Sequence, residues 1–309
     1  MLDVFASEAH FSDHLRPVLD ALTIPWTLYG PGETSRAVKG PGPALVAGFG
    51  DLQIAENLGR RIAIMEHGAG QSYGGHPGTP SSWHPSYAGG IRRTAELFLH
   101  PGPHPASRDR ERYPDARIEV VGCPKLDTLP HRIGTPDDTV AVSFHWDCQI
   151  LAETRTAFVE YREQVSLLAK QRHVLGHAHP RIFGRVKEWY RQVGIEPVES
   201  LTEVMERADL YACDNSSSIF EFASTGRPVL LLNPSFYRRD VNHGLRFWEA
   251  STVGINVDKA TDLRTAVSDA LRDTEAQQRE REHALGLVYA YRGGAGPRAA
   301  RVVEDWVGA

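Results

Sequence analysis

Three short stretches of this chain combine residue types that bind or move charge. The first, Asp214 to Asn233, reads DNSSSIFEFASTGRPVLLLN and opens on Ser216, Ser217 and Ser218. Serines in the first turn of a helix add hydroxyl donors to backbone N–H groups that lack intrahelical partners, and phosphate oxygens suit such a turn. The plain alternative is a structural cap, with Asp214 or Asn215 satisfying the first N–H groups. The second stretch is Gly176-His177-Ala178-His179-Pro180-Arg181. His179 and Arg181 there both offer donors to a phosphate, Arg through its two-pronged fork. His177 and His179 also have metal-ligand spacing, but no neighbouring carboxylate or cysteine completes a set, so no metal and no other cofactor is assigned. The third stretch is Glu66-His67-Gly68-Ala69-Gly70. An imidazole accepts a hydroxyl proton near neutral pH, which makes His67 a candidate general base that Glu66 can tune or orient. A hydrogen-bonded structural histidine is the competing reading.

Other clusters are less specific. Ser143-Phe144-His145-Trp146-Asp147 ends an apolar run and places His145 where a nucleotide would be touched. Arg238 to His243 either covers a bound anion or is solvated, and solvation is the expectation for exposed charge. His100 and His104 are separated by Pro101, Gly102 and Pro103, which keep the pair off one helical face.

These residues need strands and helices to hold them. Leu210 to Cys213 and Val229 to Leu232 are short apolar runs of the kind buried in parallel sheets. Between them Ile219, Phe220, Phe222 and Ala223 recur at helical spacing, and Gly226 with Pro228 gives the stop. The same unit repeats in front: Val174-Leu175 before the His179 segment, followed by a helix over Arg181 to Val193, and Val140 to Phe144 before a long helix over Gln149 to Lys170. Earlier still, Leu2 to Ala6, Trp26 to Tyr29, Ala44 to Ala47, Ile62 to Met65, Leu97 to Leu99 and Ile118 to Val121 alternate with helix-like segments. Such alternation predicts α/β architecture with parallel sheets. Gly70 to Gly90, rich in Gly, Pro, Ser and His, reads as a long active-site loop.

Gly122 to Pro136 is a connector rich in Pro and Gly, and the boundary is placed near Gly134. The predicted organisation is an N-terminal Rossmann-like acceptor lobe over 1–134, a C-terminal Rossmann-like nucleotide-donor lobe over 135–292, and a terminal helix in 293–309 packing back on the first lobe. Ligands of open α/β sheets bind beyond the carboxyl ends of the strands, so the two lobes are expected to face each other across a cleft that holds the chemistry.

At 309 residues, with 41% hydrophobic and 24% charged, the composition is that of a globular protein with length for two cores. The net charge of -5 gives no global attraction to nucleic acid or anionic membrane. No apolar run reaches the ~20 residues of a membrane span, and MLDVFASEAH lacks the basic and long apolar regions of a signal peptide, so a cytoplasmic protein is expected. Cys123, Cys148 and Cys213 stand far apart and are expected to be reduced.

Taken in order, Glu66-His67-Gly68, Val121-Gly-Cys-Pro-Lys-Leu-Asp127, His179-Pro180, and Asp214 to Ser218 with Glu221 and Gly226-Arg227-Pro228 resemble the CDP-glycerol glycerophosphotransferases of teichoic acid synthesis. The likeness is closest over Val174 to Asn233. It implies the GT-B fold of two Rossmann-like lobes, His67 as the base toward an acceptor hydroxyl, and His179, Arg181, Ser216 and Ser217 as ligands of the donor phosphates, to which the serine turn itself adds Ser218. Asp214, Asn215, Glu221 and His145 are carried with them as nucleotide contacts. That family usually reads Trp-His-Gly-Thr-Pro-Leu-Lys at the first motif, whereas this chain has Glu66-His67-Gly68-Ala69-Gly70-Gln71-Ser72, a departure that leaves the acceptor open. The His-Pro motif and serine pair are also shared by GT-B transferases that use CMP-sugars.

The function expected from the sequence is metal-independent transfer of a glycerophosphate or glycosyl group from a nucleotide-activated donor to an acceptor hydroxyl. The alternatives are a glycosyltransferase using a CMP- or UDP-sugar on a glycan, a small molecule or a modified nucleic-acid base, and an epimerase acting on a UDP-N-acetylhexosamine. A non-catalytic nucleotide-binding module is the remaining class.

Overall fold

The computed structural model describes residues 1–65, 67–69, 90–149, 152–237 and 250–308. Its contacts divide the described residues into two units, one holding Met1–Thr128 with the stretch from Gly286 onward and the other the described residues between Leu129 and Leu285. The change of unit falls at Thr128, inside the Pro- and Gly-rich connector and ahead of Gly134.

In the first unit six strands form one sheet: β1 (Leu2–Phe5), β2 (Trp26–Tyr29), β3 (Pro43–Val46), β4 (Arg61–Met65), β5 (Ala95–His100) and β6 (Arg117–Val120), in the order β2-β1-β3-β4-β5-β6. Every pairing is parallel. Side chains alternate between faces along a strand, so a sheet covered on both sides needs apolar residues at nearly every position. Accordingly Leu2, Val4, Leu45, Ala63 and Leu97 pack with the helices Ala9–Leu19 and Ala295–Gly308 on one face, while Phe5, Val46, Ile62, Ile64 and Phe98 pack with Leu52 and Ala55 of the helix Phe49–Asn57 on the other. The C-terminal helix is tied down at its start, where the Asp127 carboxylate accepts from the N–H groups of Ala295 at 3.0 Å and Gly296 at 2.7 Å. A Cβ on Gly296 would sit 2.5 Å from the carbonyl oxygen of Pro17, so glycine permits this helix to approach the Ala9–Leu19 helix so closely.

In the second unit β7 (Val140–Phe144), β8 (Val174–Ala178), β9 (Glu196–Pro197), β10 (Leu210–Cys213), β11 (Val229–Leu232) and β12 (Ile255–Val257) form a second parallel sheet, ordered β12-β11-β10-β7-β8-β9. Counted from its own first strand this is the dinucleotide-fold order 3-2-1-4-5-6 read from the other edge, with the reversal between β7 and β10. One face buries Val140, Val142, Phe144, Ala212 and Leu230 beneath the helices Phe158–Ala169, Pro180–Gln192 and Leu263–Leu271. Gly176 in β8 lies against the Tyr190 ring, where a Cβ would meet Cγ at 2.5 Å.

One expected helix is shorter than the pattern implied. The helix expected from Gln149 begins at Phe158, after a 3-10 turn over Ala152–Thr154, because Asp147 accepts from Arg155 and from the N–H of Thr156 and holds that segment in a turn. The serine-turn helix spans Ser218–Ala223 alone and stops ahead of Gly226, whose φ of 84° is the left-handed geometry glycine provides. No helix among the described residues is long and apolar enough to cross a membrane, and all three cysteines are free and buried.

Candidate functional site

Phosphate-binding candidates of the second unit lie at the carboxyl ends of three adjacent strands, β8, β7 and β10, spanning the reversal in strand order. Asp214 follows β10 and is 2% exposed. Its Oδ1 accepts from the N–H of His145 at 2.7 Å, and its Oδ2 from the N–H of Ala157 at 2.8 Å and the Thr156 hydroxyl at 3.3 Å. The carboxylate is thereby committed to the protein: it braces the loop after β7 and the start of the next helix to the end of β10. It caps no helix, since the residue at the N-cap position of Ser218–Ala223 is Ser217. Asn215 does not cap it either. Asn215 is fully buried, and neither its amide oxygen nor its amide nitrogen has a hydrogen-bond partner among the described residues.

The three serines divide their work. Ser218 is buried, and its hydroxyl is joined to the Tyr211 hydroxyl at 2.8 Å and to Ser216 Oγ at 2.7 Å. Ser216 Oγ also accepts from the N–H of Ser218 at 3.3 Å. Ser216 and Ser217 are half-buried, and the Ser217 side chain makes no capping bond. Glu221 is buried within the same helix. A helix of this length gives little macrodipole, so the hydroxyls and side-chain donors must carry any phosphate contact. Cys213 just ahead is held as an inert thiol, pushed up to about 12 by burial and by the neighbouring Asp214 carboxylate.

At the end of β8, His179 occupies the N-cap of the helix Pro180–Gln192, with Pro180 in its first turn as expected. The cap is the imidazole itself: Nδ1 accepts from the backbone N–H of Arg181 at 3.2 Å. In the neutral ring an accepting Nδ1 leaves the proton on Nε2, so His179 is a donor at Nε2. The rings of His145 and His179 meet edge to face at 5.1 Å, and the Arg181 guanidinium lies over the Trp146 ring at 4.7 Å. Imidazole, guanidinium and the two half-buried serines together suit a phosphate-bearing group. His177, by contrast, is buried beside Ser143, Nδ1 to Oγ 2.7 Å, so the two histidines of the His-x-His pair have different duties.

In the first unit His67 follows β4, and its Nδ1 lies 2.6 Å from the carbonyl oxygen of Ala47, which follows β3. A carbonyl only accepts, so Nδ1 bears the proton and Nε2 of the neutral ring bears the lone pair. Phe11 packs on the ring at 4.8 Å, and His14 and His10 lie at 6.2 Å and 6.3 Å. The N–H of Gly68, at φ 73°, donates to His14 Nδ1 at 3.3 Å and so fixes the turn after His67. Burial, followed by repulsion from Lys125, His67 and His10, holds His14 well below the usual imidazole range, and it stays neutral beside His67. Glu66, most of the expected loop Gly70 to Gly90, and Arg238 to His243 lie outside the described residues. His100 is buried against Asp109, Nε2 to Oδ2 3.1 Å, a structural pairing.

One carboxylate at this end of the sheet was not singled out from sequence. Asp51 is fully buried in the first turn of the helix Phe49–Asn57; its Oδ1 accepts from the N–H of Ser7 at 3.0 Å, and Oδ2 has no partner among the described residues. Burial, opposed mainly by the Ser7 hydrogen bonds, raises its carboxyl above the usual range. The signal in the sequence is an Asp directly after Gly48-Phe49-Gly50 at a strand-to-helix turn. β1 and β3, whose ends meet here, are the strands between which this sheet's order reverses.

No protein-family model and no curated protein matches the sequence at a significant level. Solved structures do match. The wall teichoic acid polymerase TagF aligns over 99% of this chain and 89% of its own, at 11% identity and a TM-score of 0.63. The UDP-GlcNAc 2-epimerase from Neisseria meningitidis bound to UDP-GlcNAc aligns over 100% of this chain and 99% of its own, at 12% identity and a TM-score of 0.64. S. aureus MnaA in its UDP co-structure aligns over 99% and 96%, at 13% identity and a TM-score of 0.63. With two parallel six-stranded α/β sheets and these neighbours over its whole length, the chain has the GT-B fold.

Proposed function

We propose that this chain is a GT-B transferase that moves a glycerophosphate or glycosyl group from a nucleotide-activated donor to an acceptor hydroxyl. The observation that carries the reading is the gathering of His145, His179 and Asn215 to Ser217 at the reversal of strand order in the second sheet, with His179 Nε2–H held as a donor by the Arg181 backbone. In this reading the second unit binds the donor. His179, Arg181, Ser216 and Ser217 take its phosphates, Ser218 orients Ser216, and Asn215, His145 and Glu221 serve the nucleoside side. Fixed donors of this kind stabilise the charge that builds on a departing nucleotide and need no reorganisation during reaction. His67 takes the proton of the acceptor hydroxyl at Nε2, and Glu66 is assigned beside it from sequence. A CDP-glycerol-like donor is favoured by the motif resemblance and by the fold likeness to TagF.

A second reading, epimerisation of a UDP-N-acetylhexosamine, is favoured by the equally extensive fold likeness to UDP-GlcNAc 2-epimerase. The two are separated by a thermal-shift panel of CDP-glycerol, a CMP-sugar and UDP-GlcNAc, followed by product analysis with each donor that binds. A ligand of the native state raises the melting temperature by mass action. Stabilisation by CDP-glycerol or a CMP-sugar, with nucleotide release that depends on an added hydroxyl acceptor, supports transfer. Turnover of UDP-GlcNAc with no acceptor supports the epimerase, and failure of all three to bind overturns both.

A further inference from the structure

The candidate donor site occupies the carboxyl ends of the second sheet. At the opposite ends of the same strands, where Asp209 precedes β10 and Pro228 precedes β11, lies a cavity of about 630 Å³. Its volume is in the range of small-molecule sites. Leu129 to Pro136 of the connector form part of its wall, with Arg132, Asp138, Asp209, Arg227 and Asp273 as its charged lining.

Most of these charges are matched. Asp209 accepts from Arg132 at 2.8 Å and from the N–H groups of Asp137 at 2.9 Å and Thr139 at 3.1 Å. Asp137 shares Arg132 at 3.2 Å and takes the Thr139 hydroxyl at 2.6 Å. Asp138 pairs with Arg172 at 3.1 Å, and Asp273 with Arg281 at 2.8 Å. Arg227 is the exception: no carboxylate pairs with it among the described residues. Its Nε donates to the Thr225 hydroxyl at 2.9 Å, its Nη1 to the Ala208 carbonyl, and its face lies on the Phe222 ring at 4.6 Å. Nη2 is buried and has no acceptor among the described residues. Its charge therefore lines the cavity with no carboxylate paired to it, and a bound oxyanion would supply the missing partner. Burial, with added repulsion from Arg132, lowers Arg227 to about 10.

A second observation falls on the same cavity. Among the described residues, Asp138 and Asp273 are the non-glycine residues with positive φ, at 62° and 39°, and both line it. Left-handed backbone in such residues persists where the surroundings enforce it, and it concentrates at ligand sites.

We propose that this cavity is an effector site for a small organic acid, a carboxylate or phosphate ester whose oxyanion pairs with the Arg227 guanidinium while Pro136, Pro228 and Leu271 hold its apolar body. The test is calorimetric titration of the full chain with benzoate, phenyl phosphate and inorganic phosphate, repeated on Arg227→Leu, Arg227→Lys and His179→Asn. Binding of benzoate or phenyl phosphate to the wild type and to His179→Asn, weakened about tenfold or more in both Arg227 variants, is the expected result. Arg227→Lys keeps the positive charge but lacks the planar guanidinium fork, so it serves where Arg227→Leu fails to fold. Benzoate binding alone assigns a carboxylate effector, and phenyl phosphate alone a phosphate ester. Unchanged affinity in Arg227→Lys, loss of binding in His179→Asn, or binding of none of the organic probes overturns the proposal.

Discussion

His67 Nδ1 stands 2.6 Å from the carbonyl oxygen of Ala47, and that contact decides which nitrogen of the ring is available for chemistry. The carbonyl accepts from Nδ1–H, which leaves the lone pair on Nε2. His179 is set the other way, because its Nδ1 accepts from Arg181 N–H and its proton resides on Nε2. Two histidines at strand ends are thus held by backbone groups in opposite tautomers, which fits the proposal that one takes a proton and the other donates a hydrogen bond.

Replacing His67 by Ala therefore removes the proposed base and leaves the residues of the second unit unchanged. Turnover is expected to fall by about 10² to 10⁴-fold with donor affinity unchanged. Steady-state rates and a donor binding isotherm on the same variant check it, and near-normal turnover would sink the base assignment.

His179 has a structural duty and a proposed binding duty, and two variants separate them. His179→Ala loses the cap of the Pro180–Gln192 helix, which costs about 1 kcal/mol, along with the Nε2 donor. His179→Asn restores a good capping residue without a donor where Nε2–H stands. The Asn variant is expected to melt near wild type yet bind donor about tenfold more weakly, as befits one lost hydrogen bond to a charged oxygen. Donor affinity equal to wild type in His179→Asn would show that the imidazole is a cap and nothing more.

The fold was legible in the sequence because buried parallel strands leave a mark: four or five consecutive apolar residues, as in Leu210 to Cys213 and Val229 to Leu232, with helix stops between them. The Gly226 stop was legible for the same reason, since a left-handed φ of 84° selects glycine. The role of Asp214 was not. An Asp before three serines fits a helix cap as well as it fits a brace, and the choice is made by Ala157 and His145, which the sequence places far away and the sheet brings together. Asp51 was hidden for a similar reason: its partner, the N–H of Ser7, comes from a strand end 44 residues earlier. Periodicity finds elements, whereas the hydrogen bonds that assign roles to polar residues are long-range.

Asp51 carries a pH signature. Its folded-state carboxyl is raised by burial, so the folded protein holds this proton more tightly than the unfolded chain. Stability from this group is greatest at acid pH, below the ordinary carboxylate range, and declines as pH rises through the raised value. Asp51→Asn removes the ionisation, and the variant is expected to melt above wild type at pH 7 with the difference closing toward pH 4. Melting curves across that interval check the sign. A variant less stable than wild type at pH 7 would show that the ionised carboxylate has a stabilising partner.

Asp214 makes the opposite prediction, of loss at any pH where it is ionised. The side chain is 2% exposed and accepts from two backbone N–H groups and a hydroxyl. Asp214→Ala leaves the Ala157 N–H buried and unpaired and takes the acceptor from the half-buried His145 N–H and Thr156 hydroxyl, a cost of about 1 to 3 kcal/mol. Asp214→Asn keeps one acceptor oxygen and should cost less. Because the His145 N–H is among the released donors, the Ala variant should also bind donor more weakly, through a displaced loop and not through a lost ligand contact. Urea unfolding of both variants gives the order Ala below Asn below wild type. An Ala variant with the wild-type midpoint would mean that the loops after β7 and β10 are held by other contacts, and that Asp214 is free to serve the nucleotide directly.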